Sequence, residues 1–345
     1  MGNRARLLLS ISLAAGLTAP AALAWGPDGH RMIGELAMKS LPADLPDFLH
    51  TADAAKEIGY LSPEPDRERG AGKAQDAEHD PGHFVDVRDD LTILGGPALK
   101  ALPETREEYD TALRAAGSNQ YKAGYLPYSI IAGYQLLTKD FALWRVDVAG
   151  AKLAKIAAER AWYAADRIER ERIALHDMGV WSHFVGDGSM PLHASVHYSG
   201  WGDYPDPEGY TKDPIHVPWE NQYVHDAIAQ PDVAAAMPGP QDCAGGIEAC
   251  TAAYLAATQA KVLPFYKLVK TGGIKVNKQG DVFVVTATEE GKQFTVKQIA
   301  LGAAELRDLI VAAWKDSENG TVGYPPIKVT DVETGKVDPY ATLAY

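Results

Sequence analysis

Thiol chemistry is nearly absent from this chain, which has two cysteines, Cys243 and Cys250, in 345 residues. Two thiols are too few for a disulfide-stapled scaffold or a four-thiolate structural zinc site. They lie close together in a glycine-containing loop, so they are expected to pair with each other in an oxidising compartment. Basic excess is absent too: 33 Lys and Arg face 46 Asp and Glu, for a formal net charge of −13. That balance argues against a basic surface that neutralises a polyanion. It leaves phosphate chemistry open, because bound metal ions supply strong local positive charge. After the first two dozen residues no apolar run reaches the ~18–20 residues that cross a bilayer. Repeats, low-complexity tracts and inter-domain linkers are also missing.

What is present begins with a leader. Arg4 and Arg6 precede an apolar stretch over Leu7–Leu17, followed by Ala22-Leu23-Ala24, a small-residue cleavage pattern. Residues 1–24 therefore read as a secretory signal, and the mature chain is expected from Trp25 onward, outside the cytoplasm (secreted or periplasmic). Losing two arginines and no acid takes the formal charge from −13 to −15. Cleavage after Ala24 also frees the α-amine of Trp25, and an amine with its neighbouring carbonyl can chelate a metal.

The remaining pattern predicts one mostly α domain over 25–345, a multi-helix bundle with a small β-hairpin near the C-terminus. Helical spacing runs from about His30 to Leu41 and over 45–58, near Glu104–Ala116, and almost continuously from Tyr128 to Phe184, with a bend expected near Thr138–Phe141. A helix opens at His216, another covers 246–270, and Gln298–Trp314 makes the last. Ile274–Val276 and Val282–Thr286 read as hairpin strands about a turn at Asn277–Gly280. Residues 67–81 and 194–215 read as surface loops; they contain His79 and His197, which are read as loop histidines. His176 is read as a packing or hydrogen-bonding residue.

One stretch concentrates chemistry. In His183-Phe-Val-Gly-Asp187-Gly-Ser-Met-Pro-Leu-His193, two imidazoles and a carboxylate fall within eleven residues. His183 and Asp187 are i and i+4, so they share a helix face. Pro191 ends the helix, and His193 turns in beyond it. Taken alone, the stretch equally suits a satisfied core histidine and a helix-terminal acid. His30, His83, His216, Glu220 and either Glu64 or Asp66 add further nitrogen and carboxylate donors. With the Trp25 amine these make a set without thiolate, which suits zinc held for hydrolysis. The number of donors exceeds what one ion takes and fits a cluster with a shared carboxylate.

On these residues the chain resembles the zinc-dependent phospholipase C and S1/P1 nuclease superfamily. The His-x3-Asp-x5-His element is matched without a gap, and a Trp stands at the cleavage site. The resemblance covers Trp25 to about Glu220 and implies a secreted α-helical phosphodiesterase with three zinc ions. It implies that one zinc takes His83, His183, Asp187 and the carboxylate of Glu64 or Asp66. A second takes His193, His216 and Glu220. The third takes the Trp25 amine and carbonyl with His30, bridged by Asp187. The family's acid near the attacking water, a candidate general base, falls on Glu64 by alignment and on Asp66 by residue type.

The same resemblance suggests substrate contacts at Asp28, where an acid faces a choline ammonium in one member, and at Phe84 and Asp86 of His-Phe-x-Asp. His-Ala-Ser after Leu192, Glu220 in His-x3-Glu-Asn and Gly-Tyr-Leu-Pro-Tyr128 point to the phospholipases. The five-residue step from Trp25 to His30 points to the nucleases, whose Gly-Gly-Asn loop is missing here. In its place the Tyr198–Tyr210 loop offers Trp201, Tyr204 and Tyr210 with Asp203 and Asp206, an expected enclosure for a quaternary ammonium. The implied substrate is a phospholipid, with single-stranded nucleic acid as the alternative and a non-catalytic zinc-binding helical protein as the third reading. No obligate protein partner is implied.

Overall fold

The computed structural model describes residues 25–279 and 282–344; the expected leader lies outside the described residues. The chain is mostly helical. It runs through α1 (Gly26–Lys39), α2 (Ala52–Leu61), α3 (Glu64–Arg67), α4 (Lys73–His79), α5 (Arg106–Ala115), α6 (Gln120–Ala123), α7 (Leu126–Leu153) and α8 (Ala157–Asp187). After a long loop come α9 (His216–Pro218), a π-helical turn at Trp219–Tyr223, α10 (Val224–Ala227), α11 (Gln230–Ala236), α12 (Ile247–Gln259) and α13 (Val262–Thr271). A hairpin of β1 (Ile274–Gln279) and β2 (Val282–Ala287) leads into α14 (Glu289–Ser317). A second, minimal hairpin pairs Thr321–Val322 with Ile327–Lys328.

The core is built on three long helices. α7 and α8 form a hairpin, and α14 packs on both, with α1 laid against α8 and α14. α14 is buried on several sides, with Ile299, Ala300, Ala303, Leu306 and Ile310 all inside. Its N-cap Thr288 accepts the Gly291 N–H, which satisfies one of the free donors of the first turn. Among the described residues no helix is long and apolar enough to cross a membrane.

The structure departs from the expected pattern at three places. No bend occurs at Thr138–Phe141; Asp140 and Phe141 stay buried in continuous α7. The break falls at Ala154–Ile156, where Arg160 donates to the carbonyls of Ala154 (2.7 Å) and Lys155 (3.0 Å). Residues 73–79, read as loop, form α4; none of its residues is buried, so no apolar stripe betrayed it. The hairpin strands extend beyond the expected limits, and its turn lies outside the described residues. The cysteines do pair, with Cys243 and Cys250 bonded and their Cα atoms 5.6 Å apart.

Candidate metal centre

The C-terminal turn of α8 carries His183 and Asp187 into the core, where both are fully buried. Around them the chain assembles His30 from α1, Asp66 from α3, His83 from the turn after α4, His193 from the turn after α8, and His216 and Glu220 from α9 and the π-turn. Three groups of ligand-type atoms result: His30, Asp66 and His183; His83, His183 and Asp187; and His193, His216 and Glu220.

The first centre is the tightest. His83 Nδ1 lies 2.9 Å from His183 Nε2 and 3.2 Å from Asp187 Oδ2, and His183 Nε2 lies 3.3 Å from Asp187 Oδ2. Asp66 Oδ1 is 3.8 Å from each of the two nitrogens. Donor atoms around a tetrahedral zinc at ~2.0–2.1 Å stand about 3.3 Å apart, so this spacing suits an ion. The tautomer agrees. His183 Nδ1 lies 2.8 Å from the Ser62 carbonyl, which can only accept, so the proton is there and Nε2 turns a lone pair inward. Lone pairs and carboxylate oxygens facing one another in a buried space repel unless a proton or a metal cation stands between them.

The second group follows the same logic. His193 Nδ1 donates to the His83 carbonyl at 2.6 Å, leaving Nε2 as an acceptor with no hydrogen-bond partner, 3.9 Å from Glu220 Oε2. His216 Nε2 is 2.9 Å from the same oxygen. His216 and Glu220 are i and i+4 and so share a helix face, while Trp219 between them is anchored by donating to Thr295 Oγ1 at 3.1 Å.

Asp187 joins the groups. Its Oδ2 faces His83 and His183; its Oδ1 lies 3.5 Å from His30 Nε2 and 3.8 Å from His193 Nδ1. The His30 ring stacks on His183 with centroids 4.0 Å apart, and neither of its nitrogens makes a hydrogen bond. Burial alone would raise the Asp187 carboxyl, yet His183 and His193 beside it hold it well below the usual range. Burial pulls His183 down, but Asp187 and Asp66 prevail and raise it to about 8. Burial lowers His193 to about 4, and lowers His30 and His216 as well. Neutral imidazoles at His30, His193 and His216 around an ionised carboxylate are the donor forms a metal needs, and at His183 a metal would displace the proton that Asp187 and Asp66 favour.

Trp25 is fully buried, its Nε1 donating to Ser189 Oγ at 2.7 Å and its ring edge-on to Trp219 at 5.3 Å. Its carbonyl accepts the Gly29 N–H at 3.2 Å, which starts α1 and sets His30 one turn further on. Of the two alternative acids, Asp66 enters the cluster. Glu64 does not: it stays at the surface, paired with Arg67 at 2.8 Å.

A cavity of about 290 Å³ opens onto the metal groups at His83, His193 and His216, with Phe84, Asp86, Arg69 and Lys122 on its walls. The segment 84–87 is extended and tied on both sides: Val85 N donates to the His193 carbonyl at 2.8 Å, and Asp86 N to the Ala123 carbonyl at 2.7 Å. Alternation then sends Val85 and Val87 into the core and Phe84 and Asp86 toward the cavity. Gly124 makes the close approach of α6 possible, because its φ is +74° and a Cβ would stand 2.0 Å from the Phe84 carbonyl oxygen. Burial raises Asp86 to about 7.

The remaining expected contacts fall elsewhere. Asp28 is half-exposed, 2.7 Å from His225 Nδ1 and 3.4 Å from Arg31. Trp201 and Tyr210 do not enclose a ligand: both are buried against Tyr266, and Trp201 stacks on His197 at 3.8 Å. Asp203 pairs with Lys212, and Asp206 accepts the Gly209 N–H. Those rings hold the loop together, and of that loop Tyr198 lines the cavity. Sequence reasoning missed Arg69, whose Nη1 lies 3.5 Å from Asp66 Oδ1; the i, i+3 step from Asp66 was its one signal. Lys122 carried no signal. No family model, curated protein or solved structure matches the chain.

Proposed function

We propose that this chain is a zinc-dependent phosphodiesterase of the phospholipase C and S1/P1 nuclease type, holding three zinc ions. The observation that carries the reading is the convergence of buried donor atoms from Asp66, His83, His183 and Asp187, with Asp187 shared toward His30 and His193. Imidazole and carboxylate without thiolate favour a zinc kept reactive. Held by these residues, zinc would withdraw charge from phosphoryl oxygens and lower the pKa of a water toward about 7.

The chain's own residues supply the rest. Asp86 stands on the cavity wall with a carboxyl near neutrality, suited to accept a proton and return it. The base role expected of Glu64 or Asp66 passes to it in this reading, since Asp66 faces the metal groups and Glu64 the solvent. Lys122 directs positive charge at a phosphate, Arg69 is held beside it by Asp80 and Asp66, and Phe84, Leu192 and Tyr198 give apolar walls that exclude water. Phospholipid is the substrate class we put first, because the cavity of this overall acidic chain sets Arg69 and Lys122 against Asp80 and Asp86, no basic track for a polyanion, and has apolar surface beside them. Single-stranded nucleic acid is the second reading, favoured by Phe84 and Lys122 in one cavity, the pairing that stacks a base and meets its phosphate.

The test is metal analysis of dialysed protein with turnover of bis-p-nitrophenyl phosphate. About three zinc ions per chain are expected, with turnover abolished by chelation and restored by zinc. His183→Ala should lose metal and melt at lower temperature, since binding and folding are coupled. Active protein with one zinc or fewer, or turnover indifferent to chelation, overturns the proposal. The same preparation assayed on short-chain phosphatidylcholine and on single-stranded DNA, compared by kcat/KM, decides between the two substrates.

A further inference from the structure

A second and larger cavity, about 660 Å³, adjoins the metal centre on the other side of His83. It runs as a groove between the 65–80 segment and the faces of α7 and α8. Its floor is apolar: Ile131, Val180, Trp181 and Phe184, with Leu136 at 49% exposure toward the far end. Trp181 lies flat against α7 because position 133 is glycine; a Cβ there would stand 1.9 Å from the indole. The Trp181 N–H is already given to the Ile130 carbonyl at 2.9 Å, so the floor presents no free donor from the indole.

The rim has the opposite character. Five carboxylates, among them Glu68, Asp80 and Asp177, face two guanidiniums, Arg69 and Arg106. Arg106 lies over the Tyr125 ring at 3.5 Å, and Arg69 Nε donates to Asp80 Oδ1 at 3.1 Å. Arg69, Asp80 and His83 line both the groove and the smaller cavity. The Arg69–Asp80 pair is therefore the partition between them.

We propose that this groove is a binding subsite for an aliphatic chain carrying a neutral or cationic group, with the Arg69–Asp80 pair dividing it from the phosphate position. It deepens the phosphodiesterase reading and rests on it for the link to catalysis. The rim decides the class of ligand. An apolar floor of this volume suits a hydrocarbon arm. A nucleic-acid strand continuing through the groove would bring its next phosphate against predominantly acidic side chains, which repel it.

The probe is a series of alkyltrimethylammonium salts with six, eight and ten carbons, kept below micelle formation and titrated calorimetrically into zinc-loaded protein. Saturable one-to-one binding is expected, tightening about fourfold per added methylene while the chain remains within the groove. Octyl sulfate of the same chain length should bind at least tenfold more weakly than its cationic counterpart. Leu136→Asp should weaken binding tenfold or more, with an unchanged melting temperature showing that the fold is kept, while Leu136→Met binds as the parent does. No saturable binding, equal affinity for the sulfate, or indifference to Leu136→Asp would overturn the subsite. Turnover of bis-p-nitrophenyl phosphate by the parent protein reports separately. Turnover without amphiphile binding removes the groove and leaves the hydrolase; binding without turnover keeps the groove and removes the hydrolase.

Discussion

Each ring nitrogen of His183 has a separate task, one fixed by the Ser62 carbonyl and the other turned toward Asp187 and His83. The division between holding and reacting extends to the acids. Asp187 and Asp66 face imidazoles, whereas Asp86 faces the open cavity with its carboxyl raised to about 7 by burial. Asp86→Asn should therefore leave metal content unchanged and lower kcat on a phosphodiester by roughly 10²–10⁴. Metal analysis and turnover of the same sample check this, and an unaltered kcat would remove Asp86 from the reaction. The sequence was informative about which imidazoles and carboxylates gather in the core, because such groups at i, i+4 are scarce enough to stand out. It was silent about Lys122, since a lysine beside a cavity looks like any other surface lysine. It misled about Trp201 and Tyr210, because an aromatic ring in a loop reads alike whether it packs inward or waits for a ligand.

At the scale of elements, the α7–α8 hairpin carries an electrostatic cost. Asp140 and Asp147, seven residues apart on α7, are buried, and Oδ2 of each lacks a hydrogen-bond partner. Burial raises Asp140 to about 7, with Asp177 adding to the effect and Arg170 opposing it. Burial raises Asp147 to about 8, with Asp166 adding and Arg170 and Arg167 opposing. A carboxyl raised on folding favours the protonated native state, so its stabilising contribution is complete below the ordinary carboxylate pKa and is lost as pH climbs through about 7 and 8. Melting temperature should fall over that window. Asp147→Asn should flatten the fall and exceed the parent above pH 8, by on the order of 5 °C. Parallel pH profiles would refute this account. These acids were illegible in the sequence, since an Asp in a helical pattern defaults to the solvated face. The helical content of 128–184 was legible from its long 3.6-residue periodicity, but the hairpin was not, because the break at Ala154–Ile156 has no glycine or proline to announce it.

Over the whole molecule, the donors come from separate stretches between α1 and the π-turn, so the candidate metal groups exist only when the bundle has closed. Helix content and the C-terminal hairpin were readable because they depend on local periodicity. The two cavities and the partition between them were not, because they depend on how distant segments meet. The N-terminal end makes a test at this scale. Trp25 is anchored by Ser189 and Trp219, and the third zinc in the proposed function takes its free amine. A sequence-verified protein that keeps Ala24 ahead of Trp25 presents an amide there. It should carry one zinc fewer and turn over at least tenfold more slowly; full activity in that protein would sink the assignment.

The complete burial of Asp187 and His183 also sets a clock. A chelator can meet such an ion from the cavity at His83, His193 and His216, but it cannot take the ion away while His183 and Asp187 stay in place, so removal must wait for the last turn of α8 to lift, an opening event whose frequency belongs to the protein. Loss of metal should then follow chelator concentration only at low concentration and reach a plateau rate above it. That plateau should match the hydrogen-exchange rate of the amides around Gly186 and Asp187 in the limit where every opening is captured. A metal-loss rate that rises without limit would mean that the chelator draws the ions out through the cavity with α8 still in place.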